Sequence, residues 1–374
     1  MIVWRTKSNN YDVASARYRT VYPAWFIDRH LGIDSRFVSG RTSARMLNQL
    51  GNDTRNAIVF AKHFSRADRV LATRAKARGA RIVWDQCDNL FAKQTRSKRD
   101  NPEIVAAAIE LFDALVFPTA TLRAVFVDHG FPADRCHVVA DAMIAGEDEL
   151  AALAWADERV RFFPRLPLWP ARRGWRRPVP ASLDTALPPK RGERLVWFGA
   201  AGSKFGRTGV GLLADLVPAL NALHADRPLD LLLVTNDAEA CAAAMAGAAL
   251  PWHFLRWSVA GAIAAVRSAD ACLLPAGGDA FSATKSANRV LMAAANGIPA
   301  VTSRHPSIAG FEAGFFIPEG DDWLPAIAAA LNARRDGAGA AARSKLLAPA
   351  FGAEAIAQAW AAILGLDRDL GRAA

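Results

Sequence analysis

The chain has 374 residues, 52% apolar and 22% charged, which is enough for two or three ordinary domains with real cores and argues against a disordered chain. Its net charge of +10 comes from 46 basic and 36 acidic side chains. No unbroken apolar run reaches the roughly 18–20 residues of a membrane-spanning helix, and the opening Met1-Ile2-Val3-Trp4-Arg5-Thr6-Lys7 turns polar before a signal-peptide core forms, so a cytosolic protein is expected.

Hydrophobic period and turn residues predict strands over residues 1–5, 57–61, 81–84, 114–117 and 136–139. Helices are expected between them over residues 16–30, 66–78, 102–112 and 120–129. A connector, residues 146–194, follows. Within it, Pro164, Pro167, Pro170 and Pro178 forbid a continuous helix or central strand. Residues 162–178 also hold five arginines, two tryptophans and no acid. The stretch reads as an interdomain linker, with a membrane interface or a polyanion as the alternative contact for its arginines and tryptophans. The rhythm then restarts, with strands over residues 195–198, 229–235, 253–256, 271–274 and 300–302 and helices over 210–224, 238–246, 259–268 and 287–296. A last helix over residues 354–364 carries Ile356, Trp360, Ile363 and Leu364 near one face and is expected to pack back on the first domain. Such alternation predicts an α/β protein with parallel sheets, a domain over residues 1–145 and another over 195–353.

The charge is unevenly spread. Residues 1–145 carry a net +8, residues 146–194 a net +3 and residues 195–374 a net −1. The excess suits an anionic partner or an acidic leaflet, which suggests peripheral association with the inner face of a membrane. No nucleic-acid motif accompanies the charge, so nucleic acid is not expected as a partner. Cys87, Cys136, Cys241 and Cys272 fit no zinc spacing and read as reduced core thiols. No His/Asp/Glu cluster has metal spacing, so neither a metal nor a cofactor is expected.

Two doubly wound domains joined by a linker would place the carboxyl ends of both sheets around one cleft, where such folds bind ligands. Three loops qualify. The first is the glycine-rich turn after residues 195–198, with Gly199, Gly202, Ser203 and Lys204; it fits neither the P-loop nor the dinucleotide spacing. The second, residues 275–289, contains Asp279, Ser282, Thr284, Lys285, Ser286, Asn288 and Arg289; Lys285 and Arg289 are four apart, so a helix beginning there sets both cations on one face beside its amides, a seat for phosphate. The third holds Asp85 and Asp88, where a carboxylate acts as a base toward an acceptor hydroxyl, orients sugar hydroxyls, or caps the next helix.

Lys285-Ser286-Ala287-Asn288-Arg289, followed by an alanine-rich helix and Gly297-Ile298-Pro299-Ala300-Val301, resembles the donor-site element of GT-B glycosyltransferases related to glycosyltransferase family 4. Asp85-Gln86-Cys87-Asp88-Asn89-Leu90-Phe91 and Ser15-Ala16-Arg17-Tyr18-Arg19 are similar to first-domain loops of some members. The resemblance implies a GT-B fold, two Rossmann-like domains facing across a cleft. It also implies transfer of a sugar from a nucleotide-diphosphate donor to a hydroxyl of a cell-surface glycan or lipid-linked acceptor, anionic in character, with retention. By the same resemblance Lys285 and Arg289 hold the donor diphosphate, Lys204 assists, Arg256 and Trp257 lie near the nucleobase, and Ser15, Arg17, Arg19, Asp85 and Asp88 line the acceptor side. One position departs from the family: Met292 stands where a ribose-binding glutamate is usual, and a thioether cannot accept two strong hydrogen bonds. An atypical donor, phosphoribosyl or CMP-linked, and a non-catalytic GT-B scaffold are therefore the alternatives.

Overall fold

The computed structural model describes residues 1–6, 10–39, 56–92, 102–159, 185–202, 208–337 and 339–366. The proline- and arginine-rich residues 162–178, Ser203 and Lys204 lie outside them. The chain forms two units, one drawing on Met1–Ala142, Ala151–Val179 and Ala353–Ala374, the other on Met143–Leu150 and Pro180–Gly352.

The first unit is built on six parallel strands in the order β2-β1-β3-β4-β5-β6. They are β1 Ile2–Thr6, β2 Ser35–Ser39, β3 Ala57–Ala61, β4 Arg81–Asp85, β5 Ala114–Phe117 and β6 Cys136–Val138. Every residue of β1 and β3 is buried, as expected of parallel strands covered on both faces. Trp84 lies amid Phe112, Phe117, Phe126 and Phe131 in one layer of this core. The helix Ala353–Leu364 packs on the helix Tyr22–Leu31 and sets Trp360, wholly buried, edge-on to Trp4 at 5.1 Å between ring centres. Arg81 ties its end down, donating from Nε to the carbonyl of Ile363 at 2.5 Å.

The second unit has five parallel strands in the order β11-β10-β7-β8-β9. They are β7 Glu193–Phe198, β8 Leu229–Thr235, β9 Trp252–Arg256, β10 Ala271–Leu274 and β11 Ala300–Thr302. The chain winds outward from β7 to β9 and then returns to the other side for β10 and β11, so the order reverses between β7 and β10. At the amino ends, Arg194 grips Asp230 with two bonds of 3.0 and 3.1 Å, both side chains being buried. This pair is structural, at the end of the sheet away from the strand-end loops.

The structure adds elements and redraws others. Residues 146–159, read as the start of a linker, form the helix Gly146–Arg159. The helices Trp323–Arg335 and Ala340–Phe351 have no counterpart in the sequence reading. The segment Ala340–Leu364 is long and apolar enough to cross a membrane, with a mean hydropathy of 1.3 in its 18-residue window. A search for unbroken apolar runs passes over it because alanines are interspersed with Arg343, Lys345 and Glu354. Gly352, extended at φ −70° and ψ 159°, breaks the segment into two helices, and Leu347, Phe351, Trp360 and Leu364 are buried within the protein.

Replacing Trp360 with alanine empties a fully buried site. Denaturant unfolding of the first unit should show a loss of about 3–5 kcal/mol.

Candidate functional site

In an open parallel sheet, the point where strand order reverses leaves a crevice beyond the carboxyl ends, because the loops on its two sides run in opposite directions. In the second unit this is the gap between β7 and β10, and a cavity of about 80 Å³ lies there. Its wall comes from carboxyl-end segments: Thr208 and Gly209 after β7, Ala276 and Gly277 after β10, Thr302, His305 and Ser307 at and after β11, Lys285 and Ser286 just before the helix Asn288–Ala295, and Arg289 in its first turn. The residue before that helix, Ala287, has no side-chain acceptor to offer its first amides.

Arg289 dominates the electrostatics. Its Nη1 donates to the Phe198 carbonyl at 3.4 Å, and its guanidinium lies 5.9 Å from the centre of the Trp197 ring. Among the described residues it has no carboxylate partner. Burial pushes its pKa down to about 10, which still leaves it protonated at neutral pH. Gly199, at φ 148°, makes the room: a β-carbon there would stand 3.3 Å from Nη1 and 3.7 Å from Trp197. Gly209 closes the other end of the same loop. At φ 88° its amide side approaches Ala201 so tightly that a β-carbon would lie 2.1 Å from the Ala201 carbonyl oxygen.

His305 is a site residue that sequence reasoning missed. It accepts at Nδ1 from the Ser307 amide at 3.2 Å, so Nε2 carries the proton and donates to the Ser282 carbonyl at 2.9 Å. Burial lowers its pKa; the Ser282 carbonyl opposes the shift and the charge of Arg289 adds to it. The ring is therefore neutral at pH 7 and pins the turn that precedes Lys285. The available signal was position alone, three residues beyond the strand end Thr302.

The other expected donor-side residues divide. Lys285 and Ser286 line the cavity with Arg289. Lys285 is not on the helix, as the spacing argument had it, but in the extended link before it, with Nζ 4.0 Å above the Phe281 ring. Asp279 is engaged in capping: it accepts from the amides of Phe281 and Ser282 and from the Ser282 hydroxyl at 2.6 Å. Thr284 is buried and donates to the Phe281 carbonyl. Gly202 and Asn288 stand beside the cavity loops without entering the wall. Arg256 ends β9, the edge strand farthest from the cavity, Trp257 follows it, and neither lines the cavity. Met292 is buried in its helix at 2% exposure.

In the first unit Arg19 and Asp85 are not presented to a ligand. Arg19 binds Asp85 through Nε at 3.1 Å and Nη2 at 2.5 Å, and reaches Asp141 at 3.0 Å and the Val139 carbonyl at 2.7 Å. All three side chains are buried. Burial works to lower the Arg19 pKa, but Asp85 and Asp141 override it and raise it; burial raises that of Asp85 against the pull of Arg19. The π turn Arg17–Val21 aims Arg19 inward. Arg17 is buried too, donating to the Tyr11 carbonyl, whereas Ser15 is half-buried. Asp88 is partly exposed and pairs with Lys62 at 2.7 Å. Lys62, just after β3, is the sole non-glycine residue with positive φ among the described residues. Cys87 is half-buried, unlike the other three thiols, and all four are free. Among the described residues no group of three His, Cys, Asp or Glu side chains is placed to hold a metal.

No protein-family model matches the chain, and no curated protein matches it. Solved structures do. Anabaena HepE in complex with UDP and glucose is similar at a TM-score of 0.59 and 10% identity, over 97% of this chain and 99% of its own. The lipopolysaccharide outer core galactosyltransferase WaaB gives 0.54 and 12%, over 98% and 99%. A Listeria monocytogenes protein assigned as a UDP-N-acetylglucosamine 2-epimerase gives 0.52 and 12%, over 98% and 97%. The fold is GT-B. At such identities the likeness concerns the fold, which transferases and an epimerase share, and the chemistry has to be argued from the cavity.

Two outcomes test this geometry. Gly209→Ala should destabilise the second unit by about 1–3 kcal/mol in denaturant unfolding, because the tight loop cannot accept a β-carbon. For His305, a depressed folded pKa means that the unfolded chain binds more protons below the ordinary value of 6.5. Stability from this group is present above that pH and lost as pH falls below it. His137 is depressed as well, so His305→Gln isolates the effect: unfolding curves at pH 7.5 and 5.5 should lie closer together in the variant.

Proposed function

We propose that the protein is a glycosyltransferase of the GT-B type, allied to family 4, whose second unit holds the diphosphate of a nucleotide-sugar donor. The observation that carries the reading is Arg289: a half-buried guanidinium with no carboxylate beside it among the described residues, lining a cavity of about 80 Å³ at a helix start. An anion supplies what this arrangement lacks. Lys285 adds a second cation from the same wall, and Lys204, from the loop after β7, is proposed as a third.

As the bond between the anomeric carbon and the diphosphate breaks, negative charge grows on the leaving oxygen; Arg289 and Lys285 stabilise it more in the transition state than in the bound donor. The acceptor hydroxyl supplies the new bond to the anomeric carbon, and its proton passes to the leaving phosphate, with retention. The acceptor is a glycan or lipid-linked sugar met by the first unit. There Ser15 and Asp88 are the accessible candidates, while Arg19 and Asp85 act by fixing the loops that carry them.

A second reading keeps the cavity and changes the donor. Met292 is buried and offers no carboxylate for a ribose, which favours a donor recognised chiefly through its phosphates.

Isothermal titration with UDP, GDP, ADP, CMP and phosphoribosyl pyrophosphate tests both readings. At least one nucleoside diphosphate should bind, and Arg289→Ala should weaken it roughly ten- to a hundred-fold, the loss of one charge-assisted contact. Lys285→Ala should weaken it less. Affinity should hold to about pH 9 and fall as Arg289 titrates near pH 10. Unchanged affinity in Arg289→Ala would remove the assignment.

A further inference from the structure

The helix Arg66–Lys76 of the first unit has two unlike faces. Leu71, Ala72 and Ala75 are buried in the core. Asp68, the helix's one acid, is 1% exposed; it completes a capping box with Ser65 and pairs with Arg5 at 3.0 Å. Its charge is spent inside. On the outside stand Arg66, Arg69, Val70, Thr73 and Arg74, all exposed, with Arg78 just past the helix end. At about 100° per residue these positions share one half of the helix circumference. Arg66, Arg69 and Arg74 form no ion pair among the described residues. Val70, in their midst, is 53% exposed, the most exposed large apolar side chain among the described residues.

We propose that this face docks on an anionic lipid surface. A convex helix with no groove and no aromatic side chain offers nothing for a base to stack on, but it presents separate guanidinium groups to a plane of phosphodiester headgroups. Val70 projects from the middle of that array, where a short apolar side chain enters the headgroup layer. The far end of the helix is neutralised, since Lys76 pairs with Asp113 at 2.9 Å and Arg135 pairs with Glu110 at 3.3 Å. The contact therefore centres on the stretch from Arg66 to Arg74. It lies in the other unit from Arg289 and stands whether or not the transfer reaction does.

The test is co-sedimentation of the full chain with phosphatidylcholine vesicles and with vesicles containing about a third phosphatidylglycerol, at physiological salt. Binding should be confined to the anionic vesicles and be lost in high salt, where screening shortens to a few ångströms. Replacing Arg66, Arg69 and Arg74 together with glutamine, a good helix former, should lower partitioning on the order of a hundred-fold, at roughly five-fold per arginine. Val70→Glu should weaken binding with every arginine intact. A control lacking three exposed cations of the second unit, Arg191, Arg334 and Lys345, should change it only a few-fold. No binding by the wild-type chain, equal losses in the control and the triple variant, or an unaffected triple variant each overturns the proposal. So does tighter binding of heparin or an oligonucleotide through the same arginines, which would give the face to a soluble polyanion.

Discussion

A half-buried arginine with no carboxylate beside it among the described residues is the constraint around which the second unit is arranged. Taking even part of a positive charge out of water is unfavourable unless something returns what water gave it, and at the half-buried Arg289 the protein returns one long bond to the Phe198 carbonyl and the face of Trp197. The rest of the site makes sense as accommodation of that charge. Gly199 clears space for the guanidinium, Gly209 lets the loop after β7 turn back, and His305 stays neutral and holds the turn ahead of Lys285. Strand order places these pieces together, because the reversal between β7 and β10 is where loops from both sides of the sheet part.

The first unit treats its arginine in the opposite way, burying Arg19 completely. Arg19 meets two carboxylates and a carbonyl, so its charge is answered within the protein and nothing is left over for a ligand. What this cluster does is join the π turn after β1, the end of β4 and the loop after β6, segments distant in sequence. Breaking one partner of such a group leaves a buried charge unanswered, which is why its members behave as scaffold. The same residue type thus meets two carboxylates at Arg19 in one unit and, among the described residues, none at Arg289 in the other.

How much of this could be read from the chain depended on the kind of signal. The apolar run of residues 231–234 in β8 and the alternation of strand and helix pointed to the two-unit α/β architecture, and the GT-B expectation agrees with the solved structures. Short or low-contrast elements escaped: β2, Ser35–Ser39, has only two large apolar residues and sits at a sheet edge, and the helix Trp323–Arg335 opens with Pro325 amid alanines. That Lys285 and Arg289 would lie near each other was legible from their spacing after a strand, and both line the cavity. The Arg19–Asp85 pair was not, since 66 residues separate its members and no local pattern announces a partner so far along the chain. The local bonds of Asp279 could have been read from Asp279-Ala280-Phe281-Ser282, which has the acid-then-hydroxyl spacing of a local cap. His305 shows the reverse problem, a lone histidine whose role follows from neighbours that only folding supplies.

The route of the polypeptide carries a consequence for its birth on the ribosome. The second unit lies largely within one stretch, Pro180–Gly352, whereas the first waits for Ala353–Leu364 to lay Trp360 against Trp4. Translation at about 5–20 residues per second delivers those two tryptophans far apart in time, so an apolar surface near the start of the chain stays uncovered until the end. The nascent protein thus has a built-in period of vulnerability, during which chaperones that shield apolar surface have the most to do.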